Sequence, residues 1–330
     1  MIIDNHGRKV NYLRLAVTDR CNLRCFYCMP EEGIEFLSRK EVLSYEEMIR
    51  MMNLMTDMGI DKVRITGGEP FIRKDLMKFI RAISKNPKLK QINITTNGTL
   101  TAPHVEELKE LGIHSVNLSM DTIDPKRFYE ITRRDVFPEV WDTFEKLLHF
   151  GINTKINTVV MQGKNEEDIQ ALVELTKDKP VSVRFIEEMP FNGTGSHYPI
   201  LHWTHPRILA KIKEQYPDIY KIPDGPSSTS YNYQIHGHKG TVGIIAAFTR
   251  TFCGTCNRLR VTPNGLLKTC LYDSGVFNIK SLMRENADDE QVKIAIADAI
   301  GNRAKDGFEA ENKRLSFNLP IHESMTVIGG

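Results

Sequence analysis

The sequence predicts an α/β fold: a partial (β/α)6 TIM-type barrel with a C-terminal extension that is β-rich and then helical. Three observations predict it. Short β-rich runs alternate with amphipathic stretches through the first two-thirds of the 330 residues, helix-cap signals punctuate that alternation, and the alternation stops after Pro190. Repeated strand-then-helix order implies parallel strands joined by right-handed crossovers. A complete eight-unit barrel takes roughly 250 residues, so the six units that fit here imply an open barrel.

Strands are expected at residues 12–17, 62–66, 91–95, 115–119, 153–160 and 181–186, all rich in β-branched or aromatic residues. Ser44 and Glu47 have capping-box spacing, and Gly59 is placed to stop the helix they open. Met48, Met51, Met52, Met55 and Met58 recur along that helix at near-helical spacing and read as core packing. Further helices end near Gly112 and Gly151. After Pro190, residues 192–195 and 223–230 read as loops. Residues 231–235 with 241–247, and 258–262 with 266–271, read as two hairpins, the second turning at Asn264-Gly265. Helices follow near 279–285 and 289–302. The expected division is therefore residues 1–190 for the barrel and 191–330 for the extension.

Composition excludes several classes. The chain is 41% hydrophobic and 26% charged, with a formal net charge of only +2, so no global field directs it to nucleic acid or to a membrane surface. Any anionic ligand must be met by local basic residues. No apolar run approaches the roughly eighteen residues of a membrane helix, and the opening MIIDNHGRKV lacks the apolar core of a signal peptide. The expected location is cytoplasmic. That compartment is reducing and disfavours structural disulfides, so the six cysteines need another explanation.

They fall into two groups with none left over. Cys21, Cys25 and Cys28 have the spacing C-x3-C-x2-C; Cys253, Cys256 and Cys270 have C-x2-C-x13-C. Structural zinc prefers four protein ligands, usually as two pairs, and neither trio has a nearby histidine in a ligand-like position. A cubane iron–sulfur cluster needs a ligand at each iron, and three cysteines leave one iron open to a small molecule. The trios therefore point to two [4Fe-4S] clusters, each with an open position.

The segment CNLRCFYC at residues 21–28 resembles the signature of the radical S-adenosylmethionine superfamily, and Gly67-Gly68-Glu69-Pro70 resembles its segment that touches the methionine amino group. The second trio narrows the likeness. Cys253, Cys256, Asn257-Arg258-Leu259-Arg260 and Cys270 are similar to the auxiliary-cluster segment of the GTP 3′,8-cyclase family, the first step of molybdenum cofactor biosynthesis. The likeness extends over nearly the whole chain, through residues 14–20, 29–33, 64–70, 117–122, 184–190 and the Gly-Gly tail.

This resemblance implies a lyase that converts GTP to (8S)-3′,8-cyclo-7,8-dihydroguanosine 5′-triphosphate. A 5′-deoxyadenosyl radical, formed by reductive cleavage of S-adenosylmethionine, would take hydrogen from C3′ of the ribose, and C3′ would bond to C8. It implies that Tyr27, Gly67, Gly68, Glu69, Ser119 and Met189 contact S-adenosylmethionine. It implies that Arg14, Arg64, Thr95, Lys155, Arg184, Arg258, Leu259 and Arg260 contact GTP, with Arg14, Arg258, Arg260, Gly329 and Gly330 in the catalytic group. It further implies a reducing electron donor, a homodimer, and a downstream cyclic pyranopterin monophosphate synthase that consumes the product.

The residues agree with that implication on physical grounds. Arginine suits phosphate through bidentate, charge-assisted bonds, and Arg258 and Arg260 are two apart on a strand-like run, hence on one face. Inward cations on barrel strands are costly unless an anion meets them. Two other readings compete: a peptide-modifying radical enzyme, whose C-terminal segment is usually longer and richer in cysteine, and a non-catalytic zinc module. His236 and His238 share a predicted hairpin turn without a third ligand, Lys85 to Lys90 reads as a solvated loop, and Asp121 and Asp124 read as cap or turn residues. Glu188 stands where relatives often carry an aromatic residue.

Overall fold

The computed structural model describes residues 2–191, 200–317 and 323–329. A short antiparallel pair, β1 (Ile2–Ile3) and β2 (Lys9–Val10), precedes β3 (Tyr12–Ala16). The alternating region follows: α1 (Tyr45–Met58), β4 (Lys62–Thr66), α2 (Leu76–Ser84), β5 (Gln91–Thr96), α3 (Val105–Glu110), β6 (Ser115–Ser119), α4 (Pro125–Thr132), α5 (Phe137–His149), β7 (Thr154–Val160), α6 (Asp168–Asp178) and β8 (Ser182–Glu187). Beyond it come α7 (His205–Lys213), β9 (Tyr220–Lys221), β10 (Ser230–Gln234), β11 (Thr241–Ile245), β12 (Arg258–Val261), β13 (Leu266–Lys268) and β14 (Phe277–Asn278). Helices α8 (Ile279–Arg284), α9 (Asp289–Gly301), α10 (Gly307–Ser316) and α11 (Met325–Ile328) complete the chain.

Local chemistry sets the boundaries as expected. Ser44 caps α1 through the Glu47 amide, Glu47 reciprocates at the Ser44 amide, and Gly59 closes the helix in the left-handed region. Met48, Met51, Met52 and Met55 are buried, and Met58 packs against the same core. Asp124 caps α4 by accepting from the Arg127 amide.

The main sheet has the order β14-β13-β12-β3-β4-β5-β6-β7-β8-β11-β10-β9. The six strands of the alternating region, β3 to β8, are parallel and consecutive. The two predicted hairpins form, β10 with β11 and β12 with β13. They do not make a separate sheet. Strand β12 adds in parallel to β3, and β11 adds in parallel to β8, so the C-terminal segment extends both edges of the barrel sheet.

Pleating gives the sheet two different faces. On one, Leu13, Leu15, Val63, Ile65, Ile94, Val116, Leu118, Val183, Phe185, Leu259 and Val261 are buried in the apolar layers that pack against the helices. The other carries Tyr12, Arg14, Lys62, Arg64, Asn93, Thr95, Asn117, Lys155, Asn157, Arg184, Arg258 and Arg260. The sheet is curled around this polar face. Strands lie roughly 4.8 Å apart, so five strand spacings on a flat sheet would put Arg184 of β8 and Tyr12 of β3 about 24 Å apart. They are instead close enough for charge interaction.

Candidate active site

The first cysteine loop follows β3, and the Gly67-Gly68 strip after β4 lies directly against its approach. The Gly68 amide donates to the Thr18 carbonyl at 2.8 Å, and the Glu69 amide to that of Arg20 at 2.8 Å. Both glycines are required by this close approach: a Cβ at Gly67 would stand 2.2 Å from the Thr18 carbonyl oxygen, and one at Gly68 2.3 Å from that of Arg20. Glu69 is fully buried and accepts from the Phe71 and Asn97 amides and the Thr96 hydroxyl. Burial pushes its pKa up to about 7, against those donors. Asn97 in turn reaches the Cys21 sulfur at 3.7 Å.

A cleft lined by Cys21, Cys25, Tyr27, Cys28, Gly67, Gly68, Thr95, Asn97, Ser119 and Asp121 opens at this end of the strands, with Met325 and Thr326 of α11 among its walls. Asp121 sits in the bend that follows β6, as a turn residue, and its side chain also reaches other elements. It is buried at the end of β6, accepts from the Tyr27 hydroxyl at 2.7 Å and from the Val159 amide at 2.8 Å, and burial raises its pKa to about 6. A carboxylate there fixes the tyrosine that precedes the last cysteine.

The thiols of this trio are destabilised as thiolates. Burial, then the Glu69 charge, raises Cys21 to about 11. Cys25 and Cys28 are pushed up by burial and by mutual repulsion within the trio. Positive irons remove that penalty, because a coordinated thiol is deprotonated outright. Among the described residues no three His, Cys, Asp or Glu side chains close on a single metal ion. Three cysteines lining one cleft are the donor set of a cubane, which spreads its thiolates over separate irons.

Below the cleft lies a basic lumen. Register aligns Arg260, Arg14, Arg64, Asn93 and Ser115 in one row across β12, β3, β4, β5 and β6. A second row runs Thr95, Asn117, Lys155, Ser182, and a third runs Ser119, Asn157, Arg184. Arg64 is held by the Tyr12 hydroxyl at 2.8 Å and the Ile94 carbonyl at 2.7 Å. Burial, with Arg184, Arg64 and Lys62 nearby, lowers Lys155 to about 7. Arg184 falls to about 10 through burial and Arg64, and Arg260 to about 10 through burial and Arg258. Burial followed by Arg260 takes Arg14 well below its ordinary value. The Tyr12 phenol moves the other way: burial raises it, but Arg64, Arg14 and Lys62 bring it down to about 8. Among the described residues no carboxylate figures among the charges that move Lys155, Arg184 and Arg260. Buried and without hydrogen-bond partners are Nε and Nη2 of Arg258, Nε of Arg184, and the side-chain oxygens of Asn117 and Asn157. Mutually repelling buried cations and orphaned polar atoms on one sheet face fit a polyanion bearing further donors.

The second trio stands at the β12 edge of this lumen. Cys270 rises to about 12 through burial and Asp273. Burial also acts upward on Cys256, but Arg258 and Arg303 overcome it and bring the thiol down to about 7. Arg258 lies 5.0 Å over the Phe252 ring. Glu187 at the end of β8 is fully buried and accepts from the Phe248 amide at 3.1 Å and the Thr249 amide at 2.9 Å, which ties down the chain leading into Cys253.

The tail enters between the trios. The Ser324 hydroxyl donates to the Cys28 carbonyl at 2.7 Å, Arg260 donates to the Ile328 carbonyl at 3.4 Å and also to that of Gly329. A Cβ on Gly329 would meet Thr66 Cγ2 at 2.7 Å. Met189 packs in the cluster formed by Phe191, Cys270, Met325 and Ile328, beside the cleft rather than among its lining residues. Leu259 turns its side chain to the opposite, apolar face, so its main chain alone is on the lumen side. Gly330 lies outside the described residues. His238 meets the Thr176 hydroxyl and His236 packs on Tyr220, so neither faces this site. Glu187 and Arg303 are not legible in the sequence because their partners are distant along the chain, and Asp4 and Arg8, though only four residues apart, reach the second cysteine loop through Arg303 and Cys253.

The Radical SAM superfamily model matches residues 15–176, and the Molybdenum Cofactor Synthesis C model matches residues 181–308. Mitochondrial GTP 3′,8-cyclase of Arabidopsis thaliana is 39% identical, over 100% of this chain and 84% of its own length. GTP 3′,8-cyclase of Syntrophomonas wolfei is 38% identical, over 96% of this chain and 99% of its own. Molybdenum cofactor biosynthesis protein 1 of Drosophila melanogaster is 39% identical over 94% of this chain, which spans 55% of that longer protein. Among solved structures, Streptococcus suis SuiB bound to S-adenosylmethionine superposes with a TM-score of 0.59 at 18% identity, covering 81% of this chain and 62% of that one. The last is a likeness of fold alone.

Proposed function

The chain belongs to the GTP 3′,8-cyclase family of the radical S-adenosylmethionine superfamily, and we propose that it converts GTP to 3′,8-cyclo-7,8-dihydro-GTP as a lyase of molybdenum cofactor biosynthesis. The observation that carries the substrate is the gathering of buried cations on one sheet face, with Arg260, Arg14 and Arg64 in one row and Lys155, Arg184 and Arg258 around it, where burial and mutual repulsion lower Lys155, Arg184 and Arg260. A triphosphate relieves that repulsion.

Cys21, Cys25 and Cys28 hold the cluster that, with S-adenosylmethionine, supplies the radical that takes hydrogen from ribose C3′. Tyr27, Gly67, Gly68 and Ser119 line the space for S-adenosylmethionine; Glu69 acts from beneath it by holding Asn97 and Thr96. Met189 reaches the same region from the tail cluster. Cys253, Cys256 and Cys270 hold the second cluster at the far edge of the lumen. Between the two, Arg14, Arg64, Lys155, Arg184, Arg258 and Arg260 grip the phosphates, Thr95 and the main chain of Leu259 line the path, and Gly329, tied to Arg260, borders it; Gly330 belongs to the catalytic group in the same reading. Gripping both ends of one substrate orients C3′ toward C8, and such orientation can supply roughly 7–11 kcal/mol of a barrier.

A low-potential electron donor, a homodimer, and a cyclic pyranopterin monophosphate synthase that takes up the product belong to the same reading. No described helix is long and apolar enough to cross a membrane. Anaerobic turnover tests the proposal: reconstituted protein with dithionite, S-adenosylmethionine and GTP should form 5′-deoxyadenosine together with a cyclised GTP isomer, both seen by mass spectrometry. Deoxyadenosine with GTP unchanged would remove the cyclase and keep the radical enzyme. A colourless protein that retains zinc and never takes up iron would remove both.

A further inference from the structure

We infer that Arg303, held by a buried buckle at the chain's N-terminus, is a positioning residue that makes the second cluster easier to reduce. Arg303 follows α9, and its side chain is 3% exposed. Its Nη2 donates to the Cys256 sulfur at 3.6 Å and to the Arg258 carbonyl at 3.2 Å. Its Nη1 donates to the Cys256 carbonyl at 3.3 Å and to Asp4 Oδ2 at 3.2 Å. Asp4 has a side chain 0% exposed and also accepts from Arg8 Nε at 2.7 Å and from the His6 and Arg8 amides at 2.9 Å. Arg8 then reaches the Cys253 carbonyl at 3.1 Å and the Ala304 and Lys305 carbonyls at 3.0 and 2.6 Å. The buckle thus grips two of the three cysteines from outside the lumen.

Its charge does not balance by itself. Two buried guanidinium groups share Asp4, the one carboxylate in ion-pair contact with either among the described residues. A buried cation without a full partner is costly. The remaining positive charge faces the Cys256 sulfur. A cubane carrying three thiolates is an anion, and it becomes more negative on taking one electron. An N–H···S bond and a fixed cation stabilise the reduced form more than the oxidised one, which raises the reduction potential. Arg258 also neighbours Cys256, but from the lumen side, where substrate competes for it; Arg303 has no such second duty.

This rests on the reading of Cys253, Cys256 and Cys270 as holders of a cluster. The test uses the full chain, reconstituted anaerobically, with iron and sulfide assayed and both clusters titrated with dithionite under spectroscopic control. The signal that changes on adding S-adenosylmethionine belongs to the first cluster. In Arg303→Gln at full iron load, the midpoint of the other signal should move to a more negative potential while the first stays put. An unmoved midpoint at full load overturns the assignment. Should Arg303→Gln fail to load the second cluster, Asp4→Asn, which removes the negative charge that offsets Arg303, takes its place: a midpoint displaced to a more positive potential supports the assignment and an unmoved one overturns it. Loss of the second cluster from both variants, with the first intact, shows a purely structural role and overturns it too. Wild-type protein with iron for one cluster only would instead overturn the underlying reading of the second trio.

Discussion

Arg258 and Arg260 are two residues apart on one strand yet differ in what holds them. Arg260 is tied to the Ile328 carbonyl and has a lowered pKa, whereas two nitrogens of Arg258 have no hydrogen-bond partner. Replacing either by Ala should leave iron content and reductive cleavage of S-adenosylmethionine intact and cut GTP conversion at least about tenfold, since charge-assisted bonds contribute about 1.5–3 kcal/mol. Normal GTP turnover in both variants would remove the phosphate clamp. Lys155 adds a pH signature. Its pKa in the protein is about 7, so without ligand it is charged below that pH and neutral above it. Pairing with phosphate favours the charged form, so binding above pH 7 must take up a proton. Affinity for a non-reactive GTP analogue should therefore hold near pH 7 and fall above it, by up to about tenfold per pH unit. Tyr12, losing its proton near 8, acts in the same direction. Lys155→Met should remove the limb that begins at 7 and leave the later one; an unchanged profile would acquit Lys155. The grouping of the cysteines and the shared face of Arg258 and Arg260 were legible in the sequence because residue spacing and strand alternation are local. The contacts of Asp121 were not legible, because its partners, Tyr27 and Val159, lie on other elements.

At the scale of elements, the strip after β4 is held by its glycines. Gly68→Ala puts a methyl group 2.3 Å from the Arg20 carbonyl oxygen, and backbone cannot yield there without moving the approach to Cys21. The expected outcome is loss of the first cluster, read as a fall of about half in iron and no deoxyadenosine, with the second cluster's signal retained; full iron with normal deoxyadenosine formation would show that the strip tolerates the change. The six central strands and the α1 caps were legible because period-two runs and a capping box are written within a few residues. Both hairpins were legible for the same reason. That β11 joins β8 and β12 joins β3 was not, since parallel addition is a contact between residues such as Arg258 and Tyr12 that no local pattern records. Helix α11 is four residues long, too short to show a helical period, yet it brings Met325 and Thr326 to the cleft.

At the scale of the molecule, the two ends of the chain converge on the two cysteine loops. The C-terminal end touches the first through Ser324 and Cys28. The N-terminal end grips the second through Asp4, Arg8 and Arg303, with the Asn5 amide and His6 ring also meeting the Arg303 carbonyl. The second loop therefore depends on residues some 250 positions away, consistent with contacts such as Arg8 to Cys253 at a sequence separation of 245. Deleting residues 1–8 removes the carboxylate that pins Arg303 and the guanidinium that pins the Cys253 carbonyl, but leaves Tyr12–Ala16, the lumen face and the first cysteine loop. The shortened chain should load both clusters on reconstitution and then lose the second on gel filtration with a chelator, so that iron falls by about half. Cleavage of S-adenosylmethionine should persist, which serves as the internal control that the barrel is intact, while GTP conversion disappears with the second cluster. Iron retention equal to that of the full chain would mean that the buckle follows the loop rather than fixing it, and that the loop's shape is set instead by Glu187 and the pairing of β12 with β3.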